Sequence, residues 1–95
     1  MIHLSKDVLD FGTIKYGDTK SLWIGVKNTG LDEAYVEYRT SCGCTHTRDS
    51  DTLAVGESAN LEVILTGNAL GTLAKTLTVI HNGQYLKVPV KAFVQ

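Results

Sequence analysis

Several residue types and patterns are scarce in this sequence of 95 residues. It has one proline and two cysteines, too few for a proline-rich linker or a disulfide-scaffolded secreted domain. No apolar run approaches the ~20 residues of a membrane helix, and the first residues lack the basic and apolar segments of a signal peptide. We therefore expect a cytoplasmic or virion-associated location in preference to a periplasmic one, with a removed export signal as the alternative.

The charges nearly balance, with 9 basic and 10 acidic residues and a formal net charge of -1. Such a surface offers no basic footprint for nucleic acid or an anionic membrane. We therefore expect a protein partner, no nucleic acid and no membrane insertion. The length fits a single domain, residues 1–95, with one two-layer core and no room for a separate catalytic domain.

Alternation of apolar and polar residues is the main pattern, and no window shows the i, i+3, i+4, i+7 spacing of an amphipathic helix. The Asn82-Gly83 pair predicts a type I′ hairpin turn, while Arg48 to Asp51 resembles a polar loop. Pro89 cannot donate a ladder hydrogen bond, which places the last strand at an edge or turns that position away from its neighbour. The predicted strands cover residues 8–14, 19–27, 33–40, 59–66, 73–81 and 85–94. Together these signals predict an all-β protein, an immunoglobulin-like β-sandwich of about seven antiparallel strands.

Two large aromatic residues occupy the polar phase of this alternation. Trp23 lies on the face opposite the aliphatic stripe of its strand, and Phe93 alternates with the small apolar residues of the last strand. Trp is enriched at interface hot spots, although large aromatics more often pack within their own domain. We predict Trp23 and Phe93 as partner-binding residues in one contact patch.

Both cysteines lie in Ser41-Cys42-Gly43-Cys44-Thr45, near the middle of the chain. In an extended strand, residues i and i+2 are roughly 6.5 Å apart, near the upper limit for a disulfide, so we expect free thiols. One interpretation makes these cysteines small core residues, with Gly43 allowing a bulge or a close backbone approach.

The other interpretation of this segment is a metal site. Cys42, Cys44 and His46 would leave the same face of a continued strand, and His81 is a conceivable fourth ligand. Thiolate and imidazole suit Zn or Cu(I), but a strand presents its ligands in a line instead of a tetrahedron. Core packing is therefore favoured over metal.

Catalysis has weak support in the sequence. Cys44 and His46 are the single candidate pair of nucleophile and base, and neighbouring residues on one strand diverge instead of touching. The Asp49 and Asp51 pair lacks the glycine and distal glutamate of a calcium loop, so we expect a solvated turn there. We predict no enzyme activity and no cofactor.

The order of short motifs resembles a known family. These motifs are Asp10-Phe11-Gly12-Thr13-Ile14, Val26-Lys27-Asn28-Thr29-Gly30, Ser41-Cys42-Gly43-Cys44-Thr45 and Val55-Gly56-Glu57. They resemble a small bacterial immunoglobulin-like domain family of unknown function, common in envelope proteins and similar in fold to Hydin-like and major-sperm-protein-like domains. Where that family usually has proline before Gly-Glu, this chain has Val55. The resemblance implies an immunoglobulin-like fold and a non-enzymatic character, with no known ligand.

The leading hypothesis is a non-enzymatic interaction module docked on a larger assembly, such as a decoration protein on a phage or virus capsid. The first alternative is an envelope or periplasmic adhesion or scaffold domain. The second is a metal- or thiol-handling protein that uses Cys42, Cys44 and His46.

Overall fold

The computed structural model describes residues 1–95, which form nine strands in two facing sheets. The fold is the predicted all-β, immunoglobulin-like sandwich, and it contains no helix with the length and apolar character of a membrane span. The strands are β1 (Ile2–Leu4), β2 (Leu9–Ile14), β3 (Thr19–Asn28), β4 (Ala34–Thr40), β5 (Thr45–His46), β6 (Ser50–Leu53), β7 (Ser58–Thr66), β8 (Gly71–His81) and β9 (Gln84–Val94).

The four-stranded sheet has the order β1-β3-β7-β5 and the five-stranded sheet the order β2-β9-β8-β4-β6. The chain therefore changes sheet between β1 and β2. Strand β2 pairs with β9 in parallel, whereas the other pairs are antiparallel, so the prediction of a wholly antiparallel sandwich is wrong at this pair. Residues 5–8 cross from one sheet to the other. As a result, β1 pairs with only part of β3, and β2 pairs with only part of β9.

Three short strands, β1, β5 and β6, fall outside the predicted ranges. They span two to four residues each, too few for a readable period of two. The prediction of a polar loop up to Asp51 is wrong, because Ser50–Leu53 pairs with β4 at the edge of the five-stranded sheet. Its polar sequence reflects that edge position.

The core lies between the sheets and contains the predicted apolar stripes, together with Ile2 of β1, Leu53 of β6 and Cys44. The side chains with no exposed surface include Ile24 and Val26 of β3, Leu61 and Val63 of β7, and Leu77 of β8 in the second sheet. A fully buried side chain of this kind contributes about 1.5–3 kcal/mol of transfer free energy. Alternation thus predicts the burial correctly wherever a strand is long.

The β8–β9 hairpin closes at Asn82 and Gly83, which have φ values of 50° and 77°. Positive φ at both central residues is what a type I′ turn requires, and asparagine and glycine tolerate it best. The turn prediction is confirmed, and it sets the register that pairs His81 with Gln84 and Gly71 with Val94.

Candidate functional site

The first half of β9 has an unpaired edge. Strand β8 pairs with β9 along its whole length, but on the other side β2 begins pairing only at Val90. The Gln95 N–H donates to the Ile14 carbonyl at 2.9 Å, so odd-numbered residues of β9 direct their backbone groups toward the β2 side. Tyr85 and Lys87 therefore direct N–H and C=O groups to the open edge. Pro89 also faces that side, which fits the sequence expectation for this residue.

An open groove of about 590 Å³ runs along this edge. One wall is β1 with the following residues 5–7, and the other is residues 85–88 of β9. Leu4 and Leu86 are partly buried and pack against the core from the two walls. Lys6 and Lys87 outnumber the one acidic residue of the lining, Asp7.

A groove with this lining fits an extended peptide. Unpaired strand groups supply main-chain hydrogen bonds, and the flanking apolar side chains supply pockets for alternate residues of an added strand. A second hollow, of about 600 Å³, lies between β4 and β5 but is lined mainly by polar side chains such as Glu37, Arg39 and Asp49. It lacks the apolar walls that would bury a partner's side chains.

Cys42 and Cys44 form a disulfide, so the prediction of free thiols is wrong. The expected separation of roughly 6.5 Å applies only to an extended strand. The chain instead bends at residues 41–44, as β4 of one sheet passes to β5 of the other, and the two Cα atoms lie 5.2 Å apart. This separation is within the usual range for a disulfide. The expectation of a close backbone approach at Gly43 is also wrong, because a Cβ placed there would meet no atom within 4 Å.

The residues of the hypothetical metal site do not converge. Cys42 and Cys44 are bonded to each other, and His46 points outward from β5, where it pairs with Ile64. His81 lies at the far end of β8, with its Nδ1 atom 3.2 Å from the Tyr35 carbonyl oxygen. No group of three or more His, Cys, Asp or Glu side chains in residues 1–95 is arranged to hold a metal ion.

Trp23 and Phe93 are both exposed, at 52% and 47% of their surfaces. Trp23 stands on the outer face of the four-stranded sheet, opposite Glu62 of β7. Phe93 stands on the outer face of the five-stranded sheet, opposite Thr72 of β8. The two residues lie on different sheets and do not form one patch, while a partner-binding role for each stays a prediction.

A polar cluster at the sandwich edge was not predicted from the sequence. The Asp51 carboxylate accepts hydrogen bonds from the Tyr38 hydroxyl and from Arg48 Nε, each at 2.8 Å. Burial, followed by the hydrogen bond to Asp51, raises the pKa of Tyr38 well above its usual range. The hydrogen bond to Asp51 also raises the pKa of Arg48. The expectation that Asp51 belongs to a solvated turn is therefore wrong.

Asn28 is the buried polar residue of the Asn-Thr-Gly motif, with no exposed surface. Its Nδ2 donates to the carbonyls of Asp32 and Leu53 at 2.8 and 3.1 Å, and its Oδ1 accepts from the Gly30 N–H at 3.0 Å. All hydrogen-bonding groups of this side chain are satisfied. Asn28 thus has a structural role, since it joins the end of β3 to the following turn and to β6.

The fold is an immunoglobulin-like β-sandwich of the kind found in PapD-like and major-sperm-protein domains. A model of the HYDIN/CFA65/VesB-like Ig-like domain family matches residues 1–92, and the chain belongs to that family. The resemblance drawn from the sequence motifs is thereby confirmed. No curated protein sequence is similar enough to this chain to count as a match.

Three solved structures illustrate the likeness of fold. The ASH / PapD-like domain 7 of human CEP192 has a TM-score of 0.83 at 9% identity, over 99% of this chain and 84% of that one. SSP-19, an MSP-domain protein like family member from Caenorhabditis elegans, gives 0.72 at 8% identity, over 95% and 97%. The CsuC-CsuE chaperone-tip adhesion subunit complex of Acinetobacter baumannii gives 0.77 at 13% identity, over 100% of this chain and 57% of the matched one.

Proposed function

We propose that this chain is a non-enzymatic protein-interaction module that receives an extended segment of a partner along the open edge of β9. The observation that carries this proposal is the groove between β1 and β9, where the unpaired backbone of Tyr85 and Lys87 lies beside the partly buried side chains of Leu4 and Leu86. Strand addition to an exposed edge is a common mode of peptide recognition.

The groove specifies the chemistry of the partner. A partner residue facing inward would cover the partly buried Leu4 and Leu86, so it should be aliphatic. The residues on either side of it would face outward beside Lys6 and Lys87, where acidic side chains are favoured. The open part of the edge, residues 84–89, leaves room for a segment of about five or six residues.

The relatives support a contact function of this kind. One structure of the same fold is described as a chaperone in complex with a tip adhesion subunit, a contact between two proteins. The surface would serve a module on a capsid as well as one in an envelope assembly. The capsid hypothesis predicts that the groove binds a segment of a coat protein, and the envelope hypothesis predicts a segment of a surface protein.

The decisive variant is Lys87→Pro, compared with Lys87→Ala. Because the Lys87 N–H faces the open edge, proline there removes one donor for a partner strand and no bond to β8. The probe is a panel of six-residue peptides that alternate valine with glutamate, titrated into isotope-labelled protein. The backbone N–H signals of Tyr85 and Lys87 should shift and become protected from hydrogen exchange in wild type and in Lys87→Ala, but binding should be lost in Lys87→Pro.

A partner recovered from the source cells provides the second test. Its retention by wild type and Lys87→Ala, with loss from a natively folded Lys87→Pro variant, would support the proposal. Retention by Lys87→Pro, together with loss from Trp23→Ala, would instead place the contact on the outer face of the four-stranded sheet and refute it.

A further inference from the structure

The Cys42–Cys44 disulfide adds little to the stability of the fold. A disulfide stabilises by closing a loop, and the loop here contains only Gly43, so the gain is at the bottom of the usual range. Backbone contacts already hold both ends of the crossing. The Ser41 N–H donates to the Thr76 carbonyl at 3.1 Å, and the Thr66 N–H donates to the Cys44 carbonyl at 2.9 Å.

The surroundings of the two sulfurs differ. Cys44 is 4% exposed and belongs to the core, with its Sγ 3.8 Å from the Thr45 hydroxyl. Cys42 is half-buried and borders an open hollow of about 420 Å³ at the end of the sandwich. The Cys44 N–H donates to Cys42 Sγ at 3.2 Å, and Lys75 lines the same hollow. Of the two cysteines, Cys42 is therefore the one that an incoming thiolate meets from solvent, in a hollow that also holds a lysine.

From this arrangement we infer that Cys42–Cys44 is a reversible thiol–disulfide exchange site for the dithiol of a partner protein. The partner's thiolate attacks Cys42 Sγ, forming a mixed disulfide and breaking the bond to Cys44, whose sulfur leaves as a thiolate and takes a proton from solvent. The partner's second thiolate then attacks the partner's first sulfur, which is bonded to Cys42 in the mixed disulfide. The partner becomes a disulfide, and Cys42 leaves as a thiolate beside the Cys44 N–H before it is protonated.

The exchange transfers two electrons from the partner dithiol to this chain, and the reverse reaction reoxidises it. Because the crossing is held by main-chain hydrogen bonds to β7 and β8, both redox states keep the same fold. This property separates an exchange site from a structural disulfide, whose reduction unfolds the segment it ties.

The first experiment treats the full chain with reduced thioredoxin as the protein dithiol, without denaturant. Samples are quenched in acid, labelled with a maleimide and weighed by mass spectrometry, while circular dichroism follows the fold. Complete reduction with an unchanged spectrum, followed by reoxidation with thioredoxin disulfide, supports the inference. A disulfide that resists reduction until denaturant is added, or whose reduction abolishes the β spectrum, overturns it.

The second experiment identifies the sulfur that is attacked. A Cys44→Ser variant keeps the Cys42 thiol, and a Cys42→Ser variant keeps the buried Cys44 thiol. The former should react with an aromatic disulfide reagent at least about tenfold faster, since exposure controls access to the thiolate. Equal rates, or a faster Cys44, would overturn the assignment. If a variant does not fold, limited alkylation of reduced wild type followed by peptide mapping gives the same comparison.

Discussion

The Tyr38 hydroxyl and the Asp51 carboxylate, thirteen positions apart, are joined by a 2.8 Å hydrogen bond across the edge of the five-stranded sheet. Tyr38 is 2% exposed, whereas Asp51 reaches the surface and pairs there with Arg48. The aromatic ring belongs to the core, while the hydroxyl donates to the carboxylate of the Arg48–Asp51 ion pair at the surface. This contact ties the edge strand β6 to β4.

Removing the Tyr38 hydroxyl should weaken the fold without disturbing the core. The Tyr38→Phe variant keeps the ring but loses a hydrogen bond to a charged group, which we expect to lower the free energy of unfolding by about 1–2 kcal/mol. Urea denaturation measures the change. The matched control is Tyr35→Phe, since Tyr35 is exposed on the outer face of the same strand and should change stability by less than about 0.5 kcal/mol. Equal effects in the two variants would contradict this role of the hydroxyl.

The same contact predicts a loss of stability in strong alkali. The pKa of Tyr38 is raised in the folded state above its ordinary value of 10.0, so above that pH the unfolded chain loses a proton that the folded chain keeps. Stability should therefore fall as pH rises beyond about 10, by at most about 1.4 kcal/mol per pH unit from this group. Below pH 10 the contribution is fully present. The difference between wild type and Tyr38→Phe should shrink from pH 9 to 11, because the variant lacks the titrating hydroxyl. A constant difference would refute the coupling.

Asn28 should tolerate substitution poorly. Asn28→Ala leaves the carbonyls of Asp32 and Leu53 and the N–H of Gly30 without their partner. Unsatisfied buried groups are costly, and we expect a loss of about 3 kcal/mol in unfolding free energy, measured by urea or thermal denaturation. Asn68→Ala, at an exposed loop position, is the control and should be nearly neutral. A loss below about 1 kcal/mol at Asn28 would show that water replaces its hydrogen bonds.

Substitution by alanine should lower the stability of the fold at one glycine of the sequence motifs and be tolerated at another. A Cβ at Gly30 would lie 2.6 Å from the Met1 backbone nitrogen and 3.3 Å from Asn28 Oδ1, so Met1, which directly precedes β1, must move. We expect Gly30→Ala to cost about 1–3 kcal/mol, as overpacking does. Gly43→Ala meets no atom within 4 Å and should be tolerated. Thermal denaturation of both variants distinguishes them, and a destabilised Gly43→Ala with a normal Gly30→Ala would reverse the interpretation.

The long strands and their inward faces could be predicted because those signals are local. Successive side chains of a strand point to opposite faces, so the alternation along β7 reveals which residues enter the core before any partner strand is known. The Asn82-Gly83 turn is equally local, because its backbone conformation depends on those two residues. The short strands β1, β5 and β6 were missed because their strand character comes from their neighbours.

The Cys-Gly-Cys segment and the polar residues depend on longer-range structure. Whether Cys42 and Cys44 can bond is decided by the bend that carries the chain between the sheets, and a strand-based distance estimate cannot anticipate that bend. Asp51 looked like part of a solvated loop because Tyr38 and Arg48 become its partners only when β6 docks on β4. The burial of Asn28 could not be predicted, since it depends on β6, whose Leu53 carbonyl accepts a hydrogen bond from this side chain across 25 positions of the chain.

Taken by itself, the sequence determined the all-β class, the inward faces of the long strands, the hairpin turn and the family, since all of these follow from short-range patterns. Tertiary structure alone decided which edges stay open. The groove exists because the chain leaves the four-stranded sheet after Leu4 and joins β9 only at Val90, a consequence of strand pairing between segments about eighty positions apart. The separation of Trp23 from Phe93 and the closure of the Cys42–Cys44 bond have the same origin, because pairing across the whole chain sets which side chains meet.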